Sequence, residues 1–389
     1  MASSLSSVLR AGLFGAAGVG GAALIWAARE ATSPTYKPTY DIVPLEISDD
    51  QILFRASRRT LAPGQFGFHL SSGGPPAVIG PVVSVQKGKV LRQLLFRPAD
   101  LSIYSRGRWS GIVSVNPLSV APDATAAFIE TSLGSAPAWV IDRGTNCWAI
   151  HVHGQGSSKA QTLRGVESAS GLGLSSLVIS YRNDGEGPSS KDARCHLGES
   201  EWHDIEAALQ FVAERGGTEC IVFGWSLGAT MALNAVQRSP LARTIKGLVM
   251  VSPALVWEEV LRANAHHHGW PRVLGSLMAR LLALSSFSRL VGLEAPIDVR
   301  GADRTRVAGD LGIPVLIIHN KNDWSVPFEI STRFAQAHED WIELVEFDCS
   351  GHTQEWNSDP VWWNLAVRRW YENWFRSGPT GKQAATASE

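Results

Sequence analysis

Ser226 sits at the centre of Gly224-Trp225-Ser226-Leu227-Gly228, the first setting in this chain that suggests chemistry. The apolar run CIVFGW (220–225) leads into it, and a segment rich in small residues (Gly228, Ala229, Ala232) leads out. That order fits a strand, a sharp turn and a helix, which would expose the hydroxyl at the positive end of the helix. The residues two before and two after the serine must be small for strand and helix to approach, and both are glycine. A serine hydroxyl is a weak nucleophile until a base takes its proton. His352, in DCSGHTQEW, falls on a loop between a late strand and the last helix, where such a base belongs. Asp323, in PVLIIHNKNDWSVPF, lies just past the preceding strand and would orient the imidazole and stabilise its cation. The order Ser226, Asp323, His352 is the one this elbow predicts. His319 is expected inside a strand end, Asp348 in a turn, and Asp204 on the outward face of the helix before the elbow.

An acyl-transfer site also needs hydrogen-bond donors already aimed at the oxyanion. One is expected from the N–H of Leu227, directly after the serine, and the other from the N–H of Gln155 in HVHGQG (151–156). His153, Gly154, Gly156 and Trp225 are expected beside the substrate, with the His153 side chain holding the loop. His266-His267-His268 does not suit a metal, because neighbours on a helix point apart. It reads as a polar patch. Cys147, Cys195, Cys220 and Cys349 are widely spaced and read as unpaired thiols, and Cys349 as packing rather than a second nucleophile.

These residues need strands and helices to position them. From about residue 124, apolar runs alternate with amphipathic helices, the texture of a parallel sheet covered on both faces. Strands are predicted at 138–142, 147–153, 176–181, 220–225, 247–252, 314–320 and 342–347. The helix at 200–214 should bury Trp202, Ile205, Leu209 and Val212 on one stripe. The last helix should begin at Asp359-Pro360, an N-cap followed by proline, and bury Trp363, Val367, Trp370 and Trp374. About sixty residues separate the strands at 247–252 and 314–320, more than one crossover requires. This insertion, about 255–308, includes the apolar helical stretch LMARLLALSSFSRLVGL and is read as a lid over the site.

The N-terminal part differs. Residues 36–123 hold short apolar runs (IVPLEI, GQFGFHL, AVIGPVVSV, VLRQLLF, GIVSV) and read as a β-rich module. Residues 11–28 are 18 uncharged residues between Arg10 and Arg29, about 27 Å as a helix. With a linker to residue 35, they are expected to form a single-pass membrane anchor, its side of the membrane undetermined. A cleaved signal peptide and an ordinary buried or flexible segment are the alternatives, and no A-x-A site follows. Residues 377–389 are expected to be disordered.

The chain has 389 residues, 44% hydrophobic and 18% charged, with a net charge of −1, so it offers no basic surface for nucleic acid. From about 124 to 376, through HVHGQG, GWSLGA, HNKNDWSVP and GHTQEW, it resembles the α/β-hydrolase superfamily, in its bacterial serine esterase and serine aminopeptidase-like branch. The resemblance implies an eight-stranded, mostly parallel sheet with helices on both faces, a Ser-Asp-His triad, no metal and no cofactor. It also implies hydrolysis through a covalent acyl-enzyme. SYRNDGEGPSS resembles a segment after a core strand in this group, which would place Arg182, Asn183 and Asp184 at the cleft. The expected substrate is a carboxylic ester with a hydrophobic, lipid-like acyl group. Peptidase, thioesterase or acyltransferase activity would use the same triad, and a non-catalytic membrane-tethered binding protein is the reading from another class.

Overall fold

The computed structural model describes residues 21–35, 37–301, 303, 311–349 and 351–376. A helix, α1, occupies residues 21–31. Next comes an antiparallel sheet of β1 (Glu46–Ile47), β2 (Gln51–Arg55), β3 (Phe66–Leu70), β4 (Ala77–Gln86), β5 (Lys89–Phe96) and β6 (Gly107–Ser110), ordered β1-β2-β5-β4-β3-β6. Its core packs Phe54, Phe66, Phe68 and Trp109 around a buried Arg92. The Arg92 guanidinium donates to the carbonyls of Thr60, Ala62, Gly64 and Gly80, which answers the cost of burying a cation. Three of the five apolar runs became β3, β4 and β5, and IVPLEI supplied β1. GIVSV (111–115) is not a strand, and β6 lies just before it. The Gly111 and Ile112 carbonyls meet side chains instead of a ladder: Asn357 Nδ2 donates to the first, and His69 Nε2 lies 2.8 Å from the second.

The second sheet has eight strands, ordered β14-β13-β12-β11-β9-β10-β8-β7. They are β7 (Thr125–Thr131), β8 (Gly134–Ile141), β9 (Cys147–Val152), β10 (Ser175–Ile179), β11 (Glu219–Trp225), β12 (Ile245–Val251), β13 (Val315–Asn320) and β14 (Ile342–Phe347). The strands from β10 to β14 in that order pair parallel, whereas β8 pairs antiparallel with β10 and β7. All seven predicted strands are present. The eighth, β7, reads TAAFIET and is mostly exposed at the sheet edge, so no apolar run announces it. The central strands are buried on both faces, as crossover helices require. Side-chain alternation divides them: Val222, Leu248 and Ile317 face one core, and Ile221, Val249 and Leu316 face the other.

The first core is covered by α3 (Trp202–Glu214), α4 (Leu227–Arg238) and α8 (Phe328–Ala337). The second is covered by α10 (Pro360–Tyr371), and α2 (Leu163–Gly171) packs with β8 and β10 beside it. Asp359 caps α10 by accepting from the Trp362 N–H at 2.9 Å, as its position predicts. Trp363, Val367 and Trp370 are fully buried, but α10 ends at Tyr371. Trp374 falls in a following π-helical turn and stacks half-buried on Trp341.

Between β12 and β13 lie α5 (Trp257–His267), α6 (Arg272–Leu282) and α7 (Ser285–Val291). The apolar helical stretch falls in α6 and α7, which are bent by 107° to one another. The Leu282 carbonyl accepts from Ser288 Oγ and from the Ile297 N–H, and these bonds replace continuation of the helix.

Residues 11–20 of the expected anchor, and the tail 377–389, lie outside the described residues. The anchor's remaining part, 21–28, belongs to α1, which packs on the eight-stranded body. Ala28 is fully buried in its core, with Leu24, Ala27 and Ala31 against it. Among the described residues, no single helix is long and apolar enough to cross a membrane.

Candidate active site

Steric necessity shapes the elbow. A Cβ on Gly224 would lie 2.6 Å from the Ala229 nitrogen, and one on Gly228 would lie 2.3 Å from the Val152 carbonyl oxygen. Strand β11, helix α4 and the end of β9 can therefore meet only where these residues are glycine. Ser226 between them adopts φ 53° and ψ −110°, a conformation that L-residues rarely occupy. Its N–H is anchored on the Val251 carbonyl at 2.9 Å, and Leu227 opens α4 directly behind it.

The structure brings Ser226, His352 and Asp323 together. His352 Nε2 lies 2.8 Å from Ser226 Oγ, and His352 Nδ1 lies 2.6 Å from Asp323 Oδ2. Asp323 is fully enclosed. Its Oδ1 accepts from the N–H groups of Ser325 (2.8 Å) and Val326 (3.0 Å). Its Oδ2 also faces His319 Nε2 at 3.3 Å, and His319 Nδ1 lies 2.7 Å from Ser331 Oγ. Burial disfavours the Asp323 carboxylate, but the His352 charge and the hydrogen bonds of both histidines outweigh it and hold its pKa far below the ordinary range. Burial likewise opposes the His352 cation. The Asp323 carboxylate outweighs that too and raises the imidazole above its ordinary 6.5.

A second carboxyl lies behind the histidine loop. Glu355, in the short helix α9 (Glu355–Ser358), is fully buried, and burial raises its pKa despite a donor from Ser252 Oγ at 2.5 Å. The Asn320 N–H also donates to it, and Asn320 Nδ2 donates to the Gly351 carbonyl. The loop carrying His352 is thus tied to the ends of β12 and β13. It is tied to the antiparallel sheet as well, because Gln65 and Asn357 exchange hydrogen bonds at 2.8 Å in both directions. The Arg164 side chain joins Asn357 Oδ1 and donates to the Thr353 carbonyl.

Among the described residues, no protein acceptor is recorded for the N–H groups of Gln155 and Leu227, the two expected oxyanion donors. The Gln155 side chain reaches away to α1, with Nε2 donating to the carbonyls of Ala31 and Ser33. His153 is buried, stacked on Tyr181 at 4.3 Å, with Nδ1 2.9 Å from the Gly154 carbonyl and Nε2 2.9 Å from Asp184 Oδ2. It holds the loop. The Gly154 N–H donates to Gln161 Oε1 and the Gly156 N–H to the Pro34 carbonyl.

Ser226, His352 and Gln155 line a cavity of about 650 Å³, within the range of small-molecule sites. Its walls come from α1 (Leu24, Trp26, Ala27), α5 (Trp257, Val260, Leu261), α6 (Leu274, Met278) and the loop of Trp324 and Val326. His153, Gly154, Gly156 and Trp225 are not among the lining residues, and Trp225 is buried against Trp363 below the elbow. Arg182, Asn183 and Asp184 do not line it either; they fasten the loop after β10. Asp204 faces inward, contrary to expectation, because Arg182 closes on it with three bonds of 2.8 Å. Asp348, expected in a turn, lies in the loop after β14 and accepts from Asn322 Nδ2. His267 stacks on Trp324, and His268 lines the cavity. The four cysteines are unpaired, and burial pushes the Cys349 thiol far up, which suits packing.

Sequence reasoning missed the contributions of Glu355, Asn357, Arg164 and α1, whereas His319 lies inside the end of β13, as expected. Its position, four residues before the acid at a strand end, was the one local signal of its contact with Asp323.

Residues 149–367, more than half of the chain, match the model of the Alpha/beta hydrolase family. Residues 45–110 match a Domain of unknown function (DUF8805). No curated protein matches the sequence. Among solved structures, the Pyrococcus furiosus esterase Pf2001 is similar with a TM-score of 0.50 and 19% identity, over 64% of this chain and 91% of that one. Est1E from Butyrivibrio proteoclasticus, with ferulic acid bound, has a TM-score of 0.47 and 18% identity, over 63% of this chain and 97% of its own. At 19% identity the likeness to Pf2001 is one of fold.

Proposed function

The chain belongs to the alpha/beta hydrolase family, and from that premise we propose that it is a serine hydrolase cleaving carboxylic esters with hydrophobic acyl groups. The observation that carries this reading is the Ser226–His352–Asp323 relay, with contacts of 2.8 and 2.6 Å, at an apolar cavity. His352 Nε2 takes the Ser226 proton as Oγ attacks the ester carbonyl, and Asp323 stabilises the imidazolium that forms. The N–H groups of Leu227 and Gln155 receive the oxyanion. His352 then gives its proton to the leaving alcohol, leaving an acyl-Ser226 ester. Water, deprotonated by His352, releases the acid and restores the serine. No metal or cofactor enters these steps.

The segment α5–α7 acts as the lid, since α5 and α6 supply much of the wall over Ser226. We extend the proposal to membrane association through the apolar N-terminal segment; the full-length chain should sediment with membranes and be released by detergent but not by salt.

The direct test of the activity is a fluorophosphonate probe together with a p-nitrophenyl ester series of graded acyl length. Labelling that is abolished by Ser226→Ala, and turnover favouring medium or long acyl chains, is expected. Equal labelling of Ser226→Ala would overturn the reading.

A further inference from the structure

The residues before the antiparallel sheet supply no member of the proposed triad, yet they form part of the cavity. Helix α1 places Leu24, Trp26, Ala27 and Ala31 on the cavity wall, and α6 contributes Leu274 and Met278. Trp26, 61% exposed, is both a lining residue and open to solvent.

Several backbone contacts fix this position. Arg194 Nη1 donates to the Arg29 carbonyl at 2.8 Å, and the Cys195 N–H donates to the Thr32 carbonyl at 2.9 Å. Three further hydrogen bonds hold the loop that bears the expected oxyanion donor. Gln155 Nε2 donates to the Ala31 carbonyl at 2.9 Å and to the Ser33 carbonyl at 2.7 Å, and the Gly156 N–H donates to the Pro34 carbonyl at 3.1 Å. The last carbonyls of a helix have no partner within it, so α1 presents acceptors where a side-chain amide can use them. Gln155 is thereby fixed from both ends, in chain order between Gly154 and Gly156, with its side chain clamped by α1.

We propose that residues 21–35 are an integral part of the substrate site. Helix α1 is the wall against which the acyl chain packs, and the Ala31 carbonyl at its end, with the Ser33 carbonyl just past it, clamps the oxyanion loop through Gln155. The substrate class that follows is an ester whose acyl chain extends past Ser226 to the Leu24–Ala27 face of α1. Gln155 is then a positioning residue through its side chain, distinct from any role of its N–H. This inference rests on the serine-hydrolase reading of Ser226.

Two variants of the full-length chain test it, against the p-nitrophenyl ester series. Ala27→Trp adds bulk to the wall. The ratio of kcat/KM for the octanoyl ester to that for the acetyl ester should fall about tenfold or more, since even one methylene of fit is worth roughly 10- to 200-fold. Gln155→Leu keeps the volume and removes the amide donor. It should lower kcat about tenfold or more with KM little changed, because the oxyanion is met only in the transition state. Melting temperature and fluorophosphonate labelling of each variant report whether fold and nucleophile survive. If wild type is not labelled at Ser226, the hydrolase reading itself fails. If wild type is labelled and hydrolyses esters, but the chain-length ratio in Ala27→Trp and kcat in Gln155→Leu are unchanged, the role of α1 is overturned and the hydrolase reading stands.

Discussion

The Asn357 side-chain amide donates to the Gln65 carbonyl at 2.8 Å, so the antiparallel sheet grips the chain five residues after His352. The same amide donates to the Gly111 carbonyl at 2.9 Å, and its oxygen receives the buried Arg164 guanidinium. Asn357→Ala would break all three side-chain contacts and leave Arg164 with fewer acceptors in a buried site. We expect a loss of about 2–4 kcal/mol in stability, read from denaturant midpoints, because the abandoned groups stay buried. Turnover should fall as well, since the tie holds the histidine loop. A variant as stable and as active as wild type would deny the N-terminal sheet this role.

The pH profile should report Asp323. With the neutral His352 imidazole as the proposed base, activity should rise as pH climbs through the His352 pKa. The Asp323 carboxylate raises that pKa, which places the acid limb of kcat/KM above the ordinary histidine value of 6.5. Asp323→Asn removes the charge and should move the limb to lower pH while cutting kcat by about 10⁴. An unmoved limb would mean that another group sets the histidine. His319→Gln should have a much smaller effect, because His352 makes the shorter contact with Asp323.

Gly228→Ala tests the geometry of the elbow. The new methyl would meet the Val152 carbonyl oxygen at 2.3 Å and the His153 carbonyl oxygen at 2.9 Å, both backbone atoms. Neither can swing aside as a side chain would, so β9 and α4 must separate. A destabilisation of about 3 kcal/mol or more is expected, with loss of fluorophosphonate labelling in whatever remains folded. Full labelling at wild-type stability would show that the turn tolerates a looser approach.

The residues proposed as catalytic stand out in the sequence because that chemistry would impose local sequence: an apolar run, two glycines around a serine, and an acid and a histidine just past strand ends. Residues acting through distant partners do not. Asp204 faces inward because Arg182 reaches it from the loop after β10, a partner that nothing near Asp204 in sequence announces. Residues 21–28 carry no local sign that they pack on the protein, because the burial of Ala28 depends on a body more than a hundred residues away. The bend between α6 and α7 falls in LALSS, with neither proline nor glycine. Its cause is the capture of the Leu282 carbonyl by Ser288 and Ile297, which periodicity does not encode.

Glu355 offers a final test, of stability rather than rate. Its carboxyl is buried with Oε1 accepting from Ser252 and Asn320, while Oε2 has no partner recorded among the described residues. Burial raises its pKa above the ordinary 4.5, so folding favours the neutral acid relative to the carboxylate. The sign follows from proton linkage. Below 4.5 the acid is neutral in both states and costs nothing, whereas above it the unfolded chain ionises first and the folded state is penalised progressively until the folded pKa is passed. Glu355→Gln keeps the shape and the acceptor but cannot ionise. The stability of Glu355→Gln relative to wild type should therefore increase as pH rises above about 4.5 and level off once the folded carboxyl ionises. Chemical denaturation of both proteins from pH 4 to 8 measures this. A difference that stays flat, or falls with pH, would mean that the ionised carboxylate is the form the fold holds.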